Sequence, residues 1–294
     1  MRLAVLLTAL LAACGTPDPP APTAETSPAA VDTAPVDTAP AREPSPVERV
    51  RRAMGLPTEG MFKRAGDRIV VADLSGTDVA DLGPLEGVGL KSLDVRGTKV
   101  ADLAPLAGSQ VDELFAEETA VTDITPLAGL PLDKLYLSQT AVTDLSPLAG
   151  MRLDELNLVD TPVADLAPLA EARVGTLWLR RSKVSDLTPL AGLPLVSLDV
   201  GETAVADLAP LSGVATLRRL HVAGSEVTDL TPLRGLELER LIFTPAKITE
   251  GLDVVRGMSS LKQLDTQFED AGAALTPAEF WKRYDAGDES PTAG

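Results

Sequence analysis

The chain has 294 residues, of which 45% are apolar but only 3% aromatic, so Leu, Val and Ala must fill any interior it builds. A formal charge of −17 excludes a broad nucleic-acid surface, because phosphate binding requires clustered Lys and Arg. The same acidity disfavours adhesion to anionic lipid through charge alone.

The first stretch, "MRLAVLLTALLAACG", has one basic residue at Arg2, an apolar run too short to span a bilayer, and small residues before Cys14. It resembles a bacterial lipoprotein signal with Leu11-Ala12-Ala13-Cys14 as the lipobox. That resemblance implies a signal peptide over 1–13, cleavage before Cys14, and lipid on the new N-terminus as a membrane anchor in the cell envelope. Gly15 follows the cysteine, where some bacteria use Asp to retain a lipoprotein in the inner membrane, so the expectation is the outer membrane, facing the periplasm or the outside. The competing reading is an uncleaved apolar terminus with a chance cysteine. Cys14 is the only cysteine, so no internal disulfide can form.

Residues 14–44 are Pro, Ala, Thr and acid, with VDTAP twice in tandem and almost nothing large to bury. Such a segment cannot offset its ordering entropy and is expected to act as a disordered tether. At about 3 Å per residue in a polyproline-like state it would reach on the order of 90 Å. An N-terminal cap is expected over 45–68. There Ser45, Pro46 and Glu48 form a helix-start signal, Gly55 a stop, and Val47, Val50 and Met54 one apolar face.

From Ile69 a repeat begins, with units starting at Ile69, Leu90, Val111, Leu132, Leu153, Val174, Leu195, Leu217 and Leu238. The period is 21 residues with one step of 22, and a step of 23 leads to a strand-like piece at Leu261. Positions 4 and 6 of each unit are apolar and obey strand alternation, which leaves positions 3, 5 and 7 on the opposite face. Position 9 is Thr or Ser from Thr77 to Ser225, a hydroxyl expected to bond turn backbone between successive coils. Position 16 is proline from Pro84 to Pro232, preceded by Thr125, Ser146, Thr188 or Thr231 as capping residues in four units. Proline favours the first position of a helix and blocks strand pairing, so each strand should be followed by a short helical or 3₁₀ turn. No unit can stand alone, but stacked units bury a continuous column of leucine.

This grammar, LxxLxLxxTxVxDLxPLxG, resembles the leucine-rich-repeat family, in particular its bacterial internalin-like branch, over residues 69–260. The resemblance implies an α/β solenoid: a concave parallel sheet, short 3₁₀ or helical turns on the convex side, and a helical cap at each end. The family usually has Asn at position 9. A hydroxyl supplies fewer bonds, so a weaker ladder between coils is expected. A C-terminal cap follows over 261–287, where Thr276, Pro277 and Glu279 start a helix carrying Phe280, Trp281 and Tyr284, and residues 288–294 form a tail.

Position 13 is Asp in eight consecutive units, Asp81 to Asp229. One reading is an Asx bond from each carboxylate to the amide two residues on; the other, a calcium ladder, lacks the several oxygens each ion requires. No metal or cofactor is expected. Position 5, at the middle of the open strand face, reads Asp73, Asp94, Phe115, Tyr136, Asn157, Trp178, Asp199, His221 and Ile242. Grouped aromatics commonly anchor a ligand, although they also simply suit a β-surface. Acidic residues dominate this face in units three to five and basic ones from unit six, including Arg180, Arg181, Arg219 and Arg240. The candidate ligand-binding set is therefore Phe115, Tyr136, Asn157, Trp178, Arg180, Arg181, Asp199 and His221. Its expected role is non-enzymatic recognition of a protein or peptide. A glycan or peptidoglycan ligand and a passive envelope spacer remain as alternatives. Enzymatic chemistry is disfavoured because the lone His221 reads as a surface residue with no nucleophile motif, metal spacing or phosphate loop around it.

Overall fold

The computed structural model describes residues 43–57, 61–267 and 275–288. The expected signal peptide, Cys14, the expected tether up to residue 42 and the tail from 289 lie outside them. Among the described residues no helix is long and apolar enough to cross a membrane.

Among the described residues eleven strands form one open sheet in chain order. β1 (Phe62–Ala65) pairs antiparallel with β2 (Arg68–Asp73). The rest of the sheet is parallel: β3 (Ser92–Asp94), β4 (Glu113–Phe115), β5 (Lys134–Tyr136), β6 (Arg152–Asn157), β7 (Arg173–Trp178), β8 (Ser197–Asp199), β9 (Arg219–His221), β10 (Arg240–Ile242) and β11 (Gln263–Asp265). This is the leucine-rich-repeat solenoid expected from the period. Residues sharing a phase also share a row: Asp94, Phe115, Tyr136, Asn157, Trp178, Asp199, His221 and Ile242 are successive Cα partners.

The strands form because each offers an apolar residue on either side of position 5. Leu135 and Leu137 flank Tyr136 and are wholly buried, as are Leu156 and Leu158 around Asn157. A fully buried leucine contributes about 1.5–3 kcal/mol relative to an exposed one, and a coil obtains that burial only from its neighbours. The inward Val at position 11 closes the same column, with Val100 to Val205 wholly buried.

The convex side follows the predicted turn with one exchange of roles. Each proline is the second residue of a 3₁₀ turn, as in Ser146–Leu148, and the residue before the turn is Leu or Ile without a side-chain cap. Thr125, Ser146, Thr188 and Thr231 therefore begin the turns but do not cap them. The capping acceptor is the aspartate of position 13. In all eight units its Oδ1 accepts the amide two residues on, at 2.7–2.8 Å. A carboxylate two residues back reaches that amide more directly than a hydroxyl on the turn itself, and the hydroxyls of Ser146 and Thr231 donate to it as well. The hydroxyl and amide of the same residue hold Asp123, Asp144 and Asp186 below the usual carboxylate range.

The hydroxyls of position 9 are corrected in a second respect. Those of the six threonines and of Ser225 donate within their own coil, to the carbonyl three residues back: Thr98 to Val95 at 2.6 Å, Thr140 to Leu137 at 2.7 Å, Ser225 to Val222 at 2.6 Å. No bridge between coils is needed there. The amides of positions 6 and 8 keep main-chain partners in the next coil, as in Leu137 to Asn157 and Gln139 to Val159 at 2.8 and 2.9 Å.

Both ends are covered. Helix α1 (Pro46–Ala53) has the expected capping box between Ser45 and Glu48 and buries Val47 and Val50. At the other end α3 (Pro277–Asp285) has its box between Thr276 and Glu279 and buries Phe280 and Trp281. Strand β1 was not legible in the periodic pattern, and neither was the five-residue helix α2 (Leu252–Arg256) of the ninth unit. That unit lacks proline at position 16 and has Gly251 at position 14 with φ +82°. A Cβ there would stand 2.4 Å from the Thr231 amide nitrogen, so only glycine lets the chain pass and wind into α2.

Candidate functional site

The concave face is built by positions 3, 5 and 7, and its middle row changes character along the sheet. Asp73 is exposed, Phe115 to Trp178 are half-buried, and Asp199, His221 and Ile242 are only 5%, 6% and 2% exposed. This corrects the reading of His221 as a surface residue. Its imidazole lies inside the face because residue 201 of the preceding coil is glycine. A Cβ at Gly201 would come 2.7 Å from His221 Cε1 and 2.8 Å from Nε2. On the other side Nδ1 meets Asp199 Oδ1 at 2.8 Å, and Asp199 Oδ1 also accepts the Gly201 amide at 2.9 Å.

The three aromatics of the row pack on one another. Phe115 and Tyr136 meet edge to face with centroids 5.1 Å apart, and Tyr136 and Trp178 do the same at 5.8 Å. Tyr136 and Trp178 stand two strands apart, about 9.6 Å at sheet spacing, so their rings lean towards each other over Asn157. Asn157 is short enough to pass beneath and turns its Oδ1 onto the Val159 amide at 3.0 Å. The Arg96 guanidinium lies 5.6 Å from the Phe115 ring centre and extends the row as a cation over an aromatic face. The Tyr136 hydroxyl donates to Glu155 Oε2. Burial first, and then the Glu155 carboxylate, push the phenol well above its ordinary range, so Tyr136 presents a neutral ring.

Charge on the face is largely paired within the chain. Arg181 grips both oxygens of Asp160 at 2.5 Å and reaches Glu202 at 3.5 Å, which holds its guanidinium above and Asp160 below the usual ranges. Arg181, expected to meet acidic groups of a partner, is thus neutralised by two acidic residues of its own row. Lys134 pairs with Glu113 at 3.1 Å. Arg180 lines a hollow of about 310 Å³ with Ser138, Asn157 and Trp178. Glu117 stands apart: its Oε2 is buried without a hydrogen-bond partner, and burial pushes the carboxyl up.

One feature escaped the sequence reading. Position 8 is left-handed in the first eight coils: Gly76, Gly97 and Gly224 in the first, second and eighth, and Glu118, Gln139, Asp160, Arg181 and Glu202 in the third to seventh, with φ +54° to +58°. Five consecutive coils therefore keep a side chain where L-residues pay about 1–2 kcal/mol. The glycines of the flanking units were the available signal.

Asp199, His221 and Ser197 share a second hollow, of about 230 Å³, between β7 and β10. These are the residue types of a nucleophilic triad, but not its geometry. His221 turns Nε2 beneath Gly201, where a Cβ would stand 2.8 Å from it, rather than presenting it openly to a serine hydroxyl. Among the described residues no three His, Cys, Asp or Glu side chains are grouped to hold a metal ion.

The open sheet of short, mostly parallel strands, backed on its convex side by proline-containing 3₁₀ turns, defines a leucine-rich-repeat solenoid. Internalin C2 of Listeria monocytogenes is similar over 68% of this chain and 93% of its own, with 24% identity and a TM-score of 0.54. A second Listeria internalin, internalin F, matches at 19% identity over 74% and 87% of the two chains with a TM-score of 0.38. A leucine-rich-repeat protein of Leptospira interrogans matches at 17% over 74% and 59% with 0.49. The first of these likenesses supports the fold. No protein-family profile and no curated protein sequence matches the chain.

Proposed function

We propose that the chain is a non-enzymatic binding module, held in the bacterial envelope by lipid on Cys14, whose concave face recognises a protein or peptide along coils three to seven. One coincidence carries the reading. The five coils that set Phe115, Tyr136, Asn157, Trp178 and Asp199 in the central row are the five that retain a strained side chain at position 8. Strain kept in five successive coils, where glycine serves their neighbours, marks a surface whose side chains matter beyond folding. The half-buried aromatic row supplies preorganised apolar contact area, and the paired charges beside it supply a polar rim.

A glycan ligand stands second, because stacked aromatics also suit sugar rings. Against it, the oxygens of Asn157 and Asp199 that would accept sugar hydroxyls already accept amides of their own coils.

The test is affinity capture from envelope extract by the full chain and by its F115A/Y136A/W178A variant. Loss of the captured polypeptides in the variant, with an unchanged circular dichroism spectrum, is the expected result. An identical set captured by both chains removes the aromatic row from the proposal. Capture of wall glycan alone replaces it with the second reading.

A further inference from the structure

The hollow of about 230 Å³ between β7 and β10 is smaller than the ~300–1,000 Å³ typical of small-molecule sites, and its size suits one side chain. Trp178 forms one wall and the buried Ile242 lies at the opposite end. Arg219 and Arg240 stand at position 3 of adjacent strands, about 4.8 Å apart at their Cα atoms. Arg219 is exposed and has no ion pair among the described residues; Arg240 reaches Asp265 at 3.5 Å. Ser197 continues this row on β8 with a hydroxyl. The same row on β4 to β6 reads Glu113, Lys134 and Glu155, so it carries carboxylates there and none along this hollow. Asp199 does not cancel the effect at the mouth, because its carboxylate is 5% exposed and turned to His221 and the Gly201 amide.

We infer that this hollow is an anchoring subsite for one acidic side chain of the bound peptide, its methylenes against Trp178 and Ile242 and its carboxylate between Arg219 and Arg240. The inference rests on the peptide-binding reading above and adds the chemistry that the C-terminal half of the face selects. A lysine or arginine side chain is excluded by two guanidinium groups. A phosphate dianion is disfavoured because one of the two guanidinium groups already shares its charge with Asp265. A single carboxylate matches both the donor fork and the apolar walls.

The experiment pans a phage-displayed random peptide library against the full chain, its R219Q/R240Q variant and its F115A/Y136A variant. Wild-type selections are expected to converge on peptides carrying Glu or Asp beside apolar residues. Changing that acid to its amide should weaken binding roughly tenfold to a hundredfold, as expected for charge-assisted bonds. On R219Q/R240Q the acid and the amide should bind alike. Convergence on peptides without an acidic residue, or an acid preference that survives in R219Q/R240Q, overturns the subsite and leaves the peptide reading standing. Failure to select any peptide on wild type, or selections indifferent to F115A/Y136A, overturns both.

Discussion

Substituting Gly201 by Ala places a methyl carbon 2.7 Å from His221 Cε1, 2.8 Å from Nε2 and 3.1 Å from the Ala223 carbonyl oxygen. Each separation is shorter than the ~3.5–4.0 Å of favourable contact between heavy atoms. The backbone at 201 is not left-handed, so the whole cost is one of packing. The imidazole cannot step aside freely, being 6% exposed and 2.8 Å from Asp199. Overpacking of this kind costs about 1–3 kcal/mol. For a domain of this size each kcal/mol lowers the melting temperature by roughly 2–4 °C. In an H221A background two of the three clashes vanish and only the carbonyl contact remains, so G201A should then cost under about 1 kcal/mol, a coupling of ~1–2 kcal/mol. Thermal melts of the four chains measure that coupling, with G213A, where a methyl meets nothing within 4 Å, as the benign control. If G201A melts with G213A, or costs the same with and without the imidazole, the account of why His221 is buried fails.

Three further outcomes are expected. D144A should melt below wild type at neutral pH because the Ser146 hydroxyl and amide lose their acceptor. The folded pKa of Asp144 lies below its unfolded value, so this advantage is complete above the ordinary aspartate value of ~3.9 and disappears as pH falls through the lowered one. A pH series in which the two melting temperatures stay equally far apart down to the most acid point contradicts it. At Glu117 the sign is opposite: burial raises the carboxyl, so its contribution to stability declines as pH rises through the raised value. E117Q should therefore melt above wild type at pH 7, by up to about 1 kcal/mol in stability, and converge with it near pH 4. Q139G should gain ~0.5–1 kcal/mol in denaturant titration by relieving a φ of +57°, and no gain would mean that position 8 stores no strain.

The phase of strands β2 to β11 was legible because the repeat period fixes which side chains share a face, whatever the curvature of the stack. Both capping boxes and the aspartate bonds were legible for a related reason, since each depends on partners two or three residues apart. What the pattern could not carry was how side chains from different coils meet. His221 looks exposed by phase, and only the missing side chain at Gly201, twenty residues earlier, makes room for it inside. Arg181 and Asp160 occupy the same phase one coil apart, yet nothing in a list of charges says that they satisfy each other. The threonine hydroxyls were assigned to the space between coils on the premise that amides there lose their ladder, whereas main-chain bonds continue past the assigned strand ends. Left-handed backbone at Gln139 or Asp160 left no mark in its own coils, and only the glycines at the same position of flanking coils, Gly76, Gly97 and Gly224, carried the clue.

The confinement of the Thr and Asp bonds to single coils has an architectural consequence. A coil removed whole would take its turn acceptors and donors with it, and the severed main-chain ladder could rejoin in phase on the next coil. The length of the concave surface can thus be lengthened or shortened by genetic duplication and deletion in steps of 21 residues, each moving the two ends by about one strand spacing of 4.8 Å. Such steps would change which partners can be spanned without redesigning any turn.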